Sequence, residues 1–333
     1  MSDVFKALWV EKKDDNSFSQ SVIERKVDSL PDHPLQVQVH YSSLNFKDAL
    51  SAFGKPGVTR DYPHTPGIDV GGTVIEDKSG RFQAGDEVIV SGYDLGMNTS
   101  GGLAERIHVP SDWAVALPTG LSLRETMIIG TAGFTAALCV QKLLRMGAEP
   151  DQGPVLVSGA SGGVGSFSIA ILAKLGFTVT ALSGKPDFKA HLQSLGAADV
   201  IDRTALSEDN PKPLAKPTWA HAVDCVGGAV LSNILKSLQY GGSVAACGLA
   251  LSPAFNTTVL PFILRNVNLL GVDCVELPLA QKQANWERVA SEFKLDNLDN
   301  MAEEIRLEQT PEYLQRFLAG EVRGRYLVNL KDG

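Results

Sequence analysis

The chain has 333 residues, of which 44% are hydrophobic and 20% are charged. This length and composition fit a folded protein of about two domains and exclude a disordered tail. The 30 Lys and Arg residues against 38 Asp and Glu residues leave a formal net charge of −8. That acidic balance argues against a general binder of nucleic acid or of anionic membranes.

The first 124 residues are typical of a β-rich domain. Residues 35–42 alternate between apolar and polar side chains, which is the period of a half-buried strand. Further short strands are predicted at 68–76, 87–91, 103–109 and 113–117, with Gly and Pro at the turns between them. One helix is predicted over 45–53. Many short strands of this kind indicate a small barrel or sandwich.

Residues 125–270 are typical of a parallel sheet covered by helices. Ser122 and Glu125 form a capping box that opens helical sequence running to about residue 144, interrupted at Gly130 and Gly133. Strands are then predicted at 155–158, 178–182, 200–201, 221–224, 243–246 and 268–272, with helices at 163–175, 187–195 and 229–238. This alternation predicts an α/β fold with a doubly wound parallel Rossmann sheet. Residues 271–333 are expected to be a helical segment that ends in a strand and returns to the first domain.

A glycine-rich turn follows the first of these strands. The segment 155–165 joins an apolar strand to an apolar helix through Gly159, Gly162, Gly163 and Gly165. Such glycines let backbone N–H groups approach a pyrophosphate at a helix N-terminus, so a dinucleotide site is predicted, with a bare structural turn as the alternative. The residues expected to contact the cofactor here are Ser161, Gly162, Gly163, Val164, Gly165 and Ser166.

The second strand of this sheet distinguishes NADH from NADPH. NAD sites usually carry Asp or Glu near the end of that strand, but here the strand runs into Ser183, Gly184 and Lys185. Small residues and a lysine suit a 2′-phosphate, so NADPH is the predicted cofactor. Arg203, after the third strand, is expected to help. The alternative for Lys185 and Arg203 is that both are ordinary surface charges.

Ligands of such sheets lie beyond the carboxyl ends of the strands. On that basis Leu249, Ile263 and Cys274 are expected to line the nicotinamide end of the site, with ordinary core packing as the alternative for each.

The four cysteines do not indicate a metal site. Cys139, Cys225, Cys247 and Cys274 form no CxxC pair, and none lies near a histidine at metal-ligand spacing. They are expected to be reduced core thiols. The N-terminal residues lack the pattern of a signal peptide, and the least polar stretch, 127–140, is too short to span a bilayer. A cytoplasmic location is therefore expected.

Several segments together resemble the zinc-free quinone-oxidoreductase branch of the medium-chain dehydrogenase/reductase superfamily. They are residues 42–48, 66–69, 101–105, 129–136 and 158–165. Segments 240–250, 261–266 and 271–273 are similar to those of the YhdH/AcuI-type acrylyl-CoA reductases, so the resemblance covers nearly the whole chain. It implies a GroES-like, partly open barrel as the catalytic domain, NADPH-dependent reduction of acryloyl-CoA to propanoyl-CoA, and a homodimer.

The sequence also departs from its zinc-containing and closer relatives. Zinc-dependent members carry a Cys ligand in the first domain and a Gly-His-Glu segment, whereas here the first cysteine is Cys139 and the corresponding segment ends in Asp69. No catalytic zinc is expected. Phe46 stands where some members have Tyr, so a ring contact with the cofactor is expected but a hydroxyl bond is not.

Reduction of an enoyl thioester without a metal needs groups that align the reacting carbons and stabilise charge on the thioester oxygen. Asn45 is the first candidate, with a helix N-cap as its alternative, and Asp69 is the second, as an orienting group or proton relay, with a turn-stabilising carboxylate as its alternative. Thr131 is expected to touch the nicotinamide. Arg325 and Arg265 are candidates for a cofactor or CoA phosphate, although lone arginines are often surface charges. Lys47 and Asp48 are expected to be solvated or paired.

Two further functions remain open from the sequence. One is a quinone or general enone reductase on the same scaffold. The other is a non-catalytic NADPH-binding protein, because no residue is an unmistakable acid–base catalyst. An edge strand of the cofactor sheet that pairs with its twin is the expected route to a dimer.

Overall fold

The computed structural model describes residues 3–331. Its strands are β1 (Val4–Lys12), β2 (Phe18–Lys26), β3 (Leu35–Ser43), β4 (Asp69–Asp77), β5 (Glu87–Ser91), β6 (Arg106–Val109), β7 (Ala114–Ala116), β8 (Val155–Val157), β9 (Val179–Ser183), β10 (Ala197–Asp202), β11 (Trp219–Asp224), β12 (Leu238–Ala246), β13 (Asn268–Gly271), β14 (Ala302–Arg306) and β15 (Arg325–Asn329). Its helices are α1 (Phe46–Ala52), α2 (Leu123–Arg145), α3 (Gly163–Lys174), α4 (Lys189–Ser194), α5 (Thr204–Ser207), α6 (Gly228–Ser237), α7 (Leu260–Arg265), α8 (Leu279–Ala290) and α9 (Thr310–Leu318).

The chain divides into two compact units. The first unit is made of three segments: the chain up to Thr131, Cys274–Ser291, and the chain from Asp296 onward. The second unit comprises Ala132–Asp273 and Glu292–Leu295. The observed division therefore lies seven residues after the predicted boundary at 124 and three residues after the one at 270.

The first unit is built on a mostly antiparallel sheet of order β14-β15-β3-β4-β5-β7, and β6 also pairs with β3. The inward residues of β3, Leu35, Val37 and Val39, are buried, as their alternation predicted. Strand β15 of the returning tail pairs with β3 and is parallel to β14. This β-rich unit confirms the predicted fold class of the first domain.

The second unit is a six-stranded parallel sheet of order β10-β9-β8-β11-β12-β13. This is the order of a doubly wound dinucleotide-binding sheet, whose direction of winding reverses between its first and fourth strands, here β8 and β11. The predicted Rossmann fold is confirmed. The crevice beyond the carboxyl ends of β8 and β11 is the place where such sheets bind ligands.

The sequence missed three strands. Strands β1 and β2, of nine residues each, pair as an antiparallel hairpin, and β14 precedes the last helix. In β1, Ala7 and Leu8 are adjacent and both buried, which breaks the period of two that identified the other strands. Strands β6 and β7 are also shorter than predicted.

Helix α2 combines the two helical stretches that the sequence separated. The kink lies at Gly130, with φ 51° and ψ −164°, and the predicted break at Gly133 is absent. Of the described residues, α2 is the one helix long and apolar enough to cross a membrane, longer than the stretch noted in the sequence, but 83% of its most apolar window is buried inside the protein. Core helices share this property, so it is weak evidence for a membrane span.

Candidate active site and cofactor site

A buried polar network surrounds Asp69 at the start of β4. The Asp69 Oδ2 atom accepts hydrogen bonds from Ser43 Oγ at 2.6 Å, Asn45 Nδ2 at 2.8 Å and the Thr131 backbone N–H at 2.9 Å. Its Oδ1 atom accepts from Thr131 Oγ1 at 2.6 Å. Ser43, Asn45 and Asp69 are buried, while Thr131 is half-buried. Thr131 is therefore the most exposed of these four residues, and two hydrogen bonds to Asp69 fix its position.

The kink at Gly130 makes this contact possible. Because the chain leaves helical geometry there, the N–H of Thr131 begins a new helical turn, where a carboxylate is a favourable partner. A Cβ atom on Gly130 would lie 2.2 Å from Arg325 Nη2 and 2.8 Å from Asp69 Oδ2. Only glycine allows the kink and the close approach of the charged pair together.

Asn45 occupies the N-cap position of α1, but its side chain is directed into the network. Its Nδ2 donates to Asp69 Oδ2 and to the Ser43 carbonyl at 3.2 Å, and its Oδ1 accepts from Arg325 Nη1 at 3.0 Å. Both donor positions of the amide are therefore used inside the protein. A direct bond from Asn45 to a substrate oxygen requires one of these contacts to open.

Arg325 is a structural member of the network, and the expectation that it contacts a phosphate is corrected. Its guanidinium donates to the Ile128 and Leu44 carbonyls, to Asn45 Oδ1 and to Ser43 Oγ, and its Nη2 lies 3.7 Å from Asp69 Oδ2. Burial lowers the pKa of Arg325, and the carboxylates of Asp69 and Asp48 oppose that effect. Four of its five N–H donors are therefore used inside the protein, Nη2 also faces Asp69, and the side chain is buried away from any external anion.

The second arginine proposed for a phosphate is also structural. Arg265 donates to the carbonyls of Lys236, Leu238 and Ala215, so it ties α7 to neighbouring backbone.

Asp48, in the first turn of α1, was expected to be solvated or paired, but its side chain is fully buried. Its Oδ2 accepts from the Asn45 N–H at 2.7 Å and its Oδ1 from the Ile68 N–H at 3.0 Å. Desolvation by burial, and then the nearby charge of Asp69, raise the pKa of Asp48 to about 7. One buried guanidinium thus faces two buried carboxyl groups.

Phe46, the first residue of α1, is 49% exposed. A large aromatic ring in this position, next to the buried Asn45, remains available to contact a ligand.

The glycine-rich turn lies in the second unit, between β8 and α3, as predicted. The first intrahelical bond of α3 runs from the Ser166 N–H to the Gly162 carbonyl, so the N–H groups of 163–165 have no acceptor within the helix. A Cβ atom on Gly165 would lie 2.4 Å from the Gly159 carbonyl oxygen. This cradle of backbone donors at the end of a 12-residue helix fits a pyrophosphate.

The other predicted contacts of this turn are placed as follows. Gly162, Gly163 and Val164 are half-buried, whereas Ser161 and Ser166 are buried. The Ser166 hydroxyl bonds the Ala160 carbonyl at 3.2 Å, so its side chain supports the turn.

Two residues that sequence reasoning missed join β8 to β11 at the reversal of the sheet. Ser158 Oγ donates to Asp224 Oδ1 at 2.6 Å and accepts from the Cys225 N–H at 3.0 Å. Asp224 Oδ2 accepts from the Gly227 N–H at 2.8 Å. Both side chains are buried, and desolvation raises the pKa of Asp224. The signal available in the sequence was a carboxylate at the end of an apolar strand beside a glycine pair.

The residues predicted to select NADPH converge at one corner of the second unit. Ser183 ends β9 and its Oγ accepts from the Lys185 N–H at 3.2 Å, while the Arg203 N–H bonds the Ser183 carbonyl at 3.1 Å. The Arg203 side chain runs across Gly184, where a Cβ atom would lie 2.5 Å from Arg203 Cδ. The corner therefore carries two cations and a hydroxyl, and β9 ends in Ser183 rather than in an acidic residue.

The residues predicted to line the nicotinamide end are not brought together within one unit. Leu249 and Ile263 lie in the second unit and are 62% and 69% exposed, whereas Cys274 lies in the first unit. They are not packed core residues, so that alternative is excluded for Leu249 and Ile263. Their contact with a nicotinamide stays a prediction.

Within residues 3–331, no group of three or more His, Cys, Asp or Glu side chains is arranged to hold a metal ion.

Comparison with known proteins identifies the family. Residues 31–119 match the family model described as alcohol dehydrogenase GroES-like domain, and residues 163–294 match the model described as zinc-binding dehydrogenase. The acrylyl-CoA reductase AcuI of Ruegeria pomeroyi is 42% identical over 328 residues, which cover 98% of this chain and 99% of the relative. The Bacillus subtilis protein named "Putative quinone oxidoreductase YhfP" is 44% identical over 331 residues, which cover 99% of this chain and the whole relative.

Solved structures agree with this result. The yhdH oxidoreductase of Salmonella enterica in complex with NADP has a TM-score of 0.95 and 46% identity, and the match covers 98% of this chain and all of that chain. The structure of Bacillus subtilis yhfP with NAD bound has a TM-score of 0.95 and 43% identity, over 99% of this chain and all of that chain. The two-unit architecture, the glycine-rich turn and these full-length matches lead to one conclusion: the chain belongs to the medium-chain dehydrogenase/reductase superfamily, in the branch that contains AcuI and YhdH.

Proposed function

We propose that this chain reduces the C=C bond of acryloyl-CoA to give propanoyl-CoA, with NADPH as the hydride donor and without a metal ion. The observation that carries the proposal is the nucleotide corner of Ser183, Lys185 and Arg203 in a chain that matches an acrylyl-CoA reductase over its whole length. We assign no zinc ion to this site, because the first unit has no cysteine before Cys274 and the segment 66–69 offers only one carboxylate.

The residues present fit NADPH. The unpaired N–H groups of 163–165 would hold the pyrophosphate, and Lys185 and Arg203 would pair with the 2′-phosphate. When bound, the reduced nicotinamide supplies a hydride, which the β-carbon of an unsaturated thioester accepts because the carbonyl makes that carbon electrophilic.

In the first unit, the hydrogen bonds of Asp69 fix the position of Thr131, the side chain that we expect to contact the reactants. Asp69 Oδ1 accepts a hydrogen bond from the Thr131 hydroxyl, and this bond fixes the orientation of the hydroxyl. The lone pairs of the hydroxyl oxygen then point away from Asp69 and can accept a hydrogen bond. The other carboxylate oxygen, Oδ2, accepts a hydrogen bond from Asn45 and lies 3.7 Å from Arg325 Nη2. We therefore assign Asn45 and Asp69 to the active site as positioning groups for Thr131, next to the exposed ring of Phe46.

Titration of the protein fluorescence with NADPH and with NADH tests the cofactor assignment. We expect NADPH to bind at least about tenfold more tightly, and Arg203→Ala to remove most of that preference while NADH binding is unchanged. Lys189→Ala, an exposed lysine of α4, is the matched control and should leave both affinities unaltered. Because a relative's structure carries NAD, equal affinities are the outcome that would refute the corner as a 2′-phosphate site.

Steady-state oxidation of NADPH with several acceptors tests the substrate. We expect kcat/KM to be higher for acryloyl-CoA than for quinones or simple enones. The name of YhfP makes quinone or enone reduction the second candidate, and the reverse ranking would establish it. If NADPH binds but no acceptor is reduced, the chain is a non-catalytic NADPH-binding protein.

We also propose that the chain forms a homodimer through the edge of the second unit's sheet. Strand β13 is the outermost strand of the sheet, so one side of it has no partner strand among residues 3–331. Exposed apolar side chains lie on the loop and helix that precede it, namely Leu249, Leu251, Phe255, Val259, Ile263 and Leu264. An unpaired edge next to apolar surface is suited to pairing with a second copy.

A cytoplasmic location is proposed with this function. No disulfide bond joins the four cysteines, and reduced cysteines are typical of proteins of reducing compartments. Recovery of the native protein in a membrane or secreted fraction would contradict it.

A further inference from the structure

Two cysteine sulfur atoms lie close together at the ends of neighbouring strands. Cys225 directly follows β11 and Cys247 directly follows β12, next to the paired residues Asp224 and Ala246 of this parallel ladder. Their Sγ atoms are 3.8 Å apart. Neighbouring strands are about 4.8 Å apart, and that spacing lies within the Cα separations of about 4.4–6.8 Å that disulfides span. The backbone is therefore already in a geometry that a disulfide bond can bridge.

The two thiols have different environments. The Cys247 thiol donates a hydrogen bond to the Asp224 carbonyl at 3.5 Å. Its contacts with the thiols of Cys139 and Cys225 lower the pKa of Cys247 well below its ordinary value. The pKa of Cys225 is raised well above the ordinary value by its thiol's bond to Cys247 and by burial. A more acidic thiol 3.8 Å from a less acidic one is the arrangement of a reactive cysteine and the partner that resolves its oxidised form. Both residues are half-buried, whereas Cys139 is fully buried.

The pair also lies against the cofactor turn. A Cβ atom on Gly159, the first glycine of that turn, would be 3.2 Å from Cys225 Cβ. The Cys225 N–H is bonded to Ser158, the residue before this glycine. A Cβ atom on Gly248, which follows Cys247, would be 2.3 Å from the Cys225 carbonyl oxygen. A shift of Cys225 would therefore press on Gly159 and Ser158, which belong to the turn proposed to hold the pyrophosphate.

We propose that Cys225 and Cys247 form a redox-modification site that a hydroperoxide converts to a disulfide, and that this disulfide weakens NADPH binding. The first part stands on the sulfur geometry alone, and the second rests on the proposed function.

The oxidation proceeds in two balanced steps. The Cys247 thiol loses its proton and its sulfur attacks an oxygen of hydrogen peroxide, so that an S–O bond forms, the O–O bond breaks and the departing hydroxide takes that proton to become water. The Cys225 sulfur then attacks Cys247, the S–O bond breaks, and the leaving hydroxide takes the Cys225 thiol proton as a second water. Two thiols lose two electrons in total and the peroxide gains them.

Thiol mapping of the reduced, full-length protein tests the first part. After treatment with hydrogen peroxide and alkylation, we expect Cys225 and Cys247 to escape alkylation, the mass to fall by two hydrogen atoms, and digestion to release a linked peptide that dithiothreitol separates. In Cys225→Ser, Cys247 should instead be trapped by dimedone as a sulfenic acid. Cys274→Ser, in the other unit, is the matched control and should behave as the wild type. Unchanged alkylation of all four thiols, or a linkage that joins other cysteines, would overturn the proposal.

Fluorescence titration with NADPH then tests the second part. Oxidation should raise the Kd for NADPH by about tenfold, with full recovery after dithiothreitol and no change in peroxide-treated Cys247→Ser. A linked peptide with an unaltered Kd would refute the effect on binding, while absence of NADPH binding by the reduced protein would instead refute the proposed function.

Discussion

Glycine at position 130 has a role that no other residue can take. Its positive φ turns the chain so that Thr131 reaches Asp69, and its missing side chain leaves room for the Arg325 guanidinium. Both requirements fall on Gly130 because the helix changes direction there, and because the side chains of Arg325 and Asp69 occupy the space that a Cβ atom would need.

We therefore expect Gly130→Ala to lower the free energy of unfolding by about 3 kcal/mol or more, since it adds a clash to a strained backbone. Gly80→Ala is the matched control, because Gly80 also has a positive φ but a Cβ atom there meets nothing within 4 Å. That control should cost about 1 kcal/mol. Urea denaturation measures the free energy of unfolding of both variants. Equal losses in the two variants would show that the contacts around Gly130 do not contribute to stability.

The buried carboxyl of Asp48 predicts a pH dependence of stability. Its pKa is about 7 in the folded protein against a model value of 3.8, so the folded state binds more protons between these values. The contribution of Asp48 to stability is accordingly complete below about pH 4 and is lost as the pH rises to about 7.

Asp48→Asn removes the titrating group and, because an amide has one acceptor oxygen, one of the two backbone hydrogen bonds. We expect wild type to exceed this variant in stability at pH 4, and the difference to shrink by on the order of 3 kcal/mol by pH 7. Urea midpoints at each pH check this. A constant difference across the range would mean that Asp48 is ionised throughout.

At the scale of elements, function depends on where strands and helices end. The turn between β8 and α3 supplies N–H groups without acceptors in the helix, and the end of β9 supplies the corner that we propose binds the 2′-phosphate. The end of β11 supplies Asp224, which is bonded to Ser158 at the start of the turn. These ends lie along one edge because the strands of the sheet are parallel.

Gly165→Ala tests the packing of α3 against its own turn. The added methyl group would meet the Gly159 carbonyl at 2.4 Å and Ala160 Cα at 2.7 Å, so the turn must move and its N–H groups lose their alignment. We expect the Kd for NADPH to rise by about tenfold or more. Gly241→Ala, in the same unit with open space around it, should leave binding unchanged, and an unaffected Gly165→Ala would show that the turn does not hold the cofactor.

At the scale of the whole molecule, the two units supply different parts of the chemistry. The first holds the Asp69 network and the second holds the nucleotide corner, and the returning tail contributes Arg325 to the first unit through β15. An exposed apolar surface also lies on the loop and helix that precede β13 in the second unit.

Sedimentation analysis tests the proposed use of that surface. Wild type should sediment at twice the mass of the chain, and Leu264→Asp should sediment as a single chain, because a carboxylate in an apolar interface is costly to bury. Met146→Asp is the matched control, since Met146 is also exposed in the second unit but lies outside this patch. A monomeric wild type would contradict the proposal.

Local patterns were sufficient to predict much of this protein. The alternation in β3, the capping box of Ser122 and Glu125, and the glycine-rich turn each depend on residues close in sequence, and the structure confirms all three. The Rossmann fold followed for the same reason, because alternating strands and helices can close into a parallel sheet in few ways.

Only the tertiary structure decided the roles of Arg325, Asp48 and the thiol pair. Arg325 lies 280 residues from Asn45 in the chain, and nothing local distinguishes a buried arginine from one on the surface. Asp48 is buried only because α1 is packed under the Ile68 backbone, and Cys225 meets Cys247 only because β11 and β12 are neighbours. Burial and long-range contact set the charge state and the chemistry of a side chain, and both arise from the packing of distant segments rather than from local sequence.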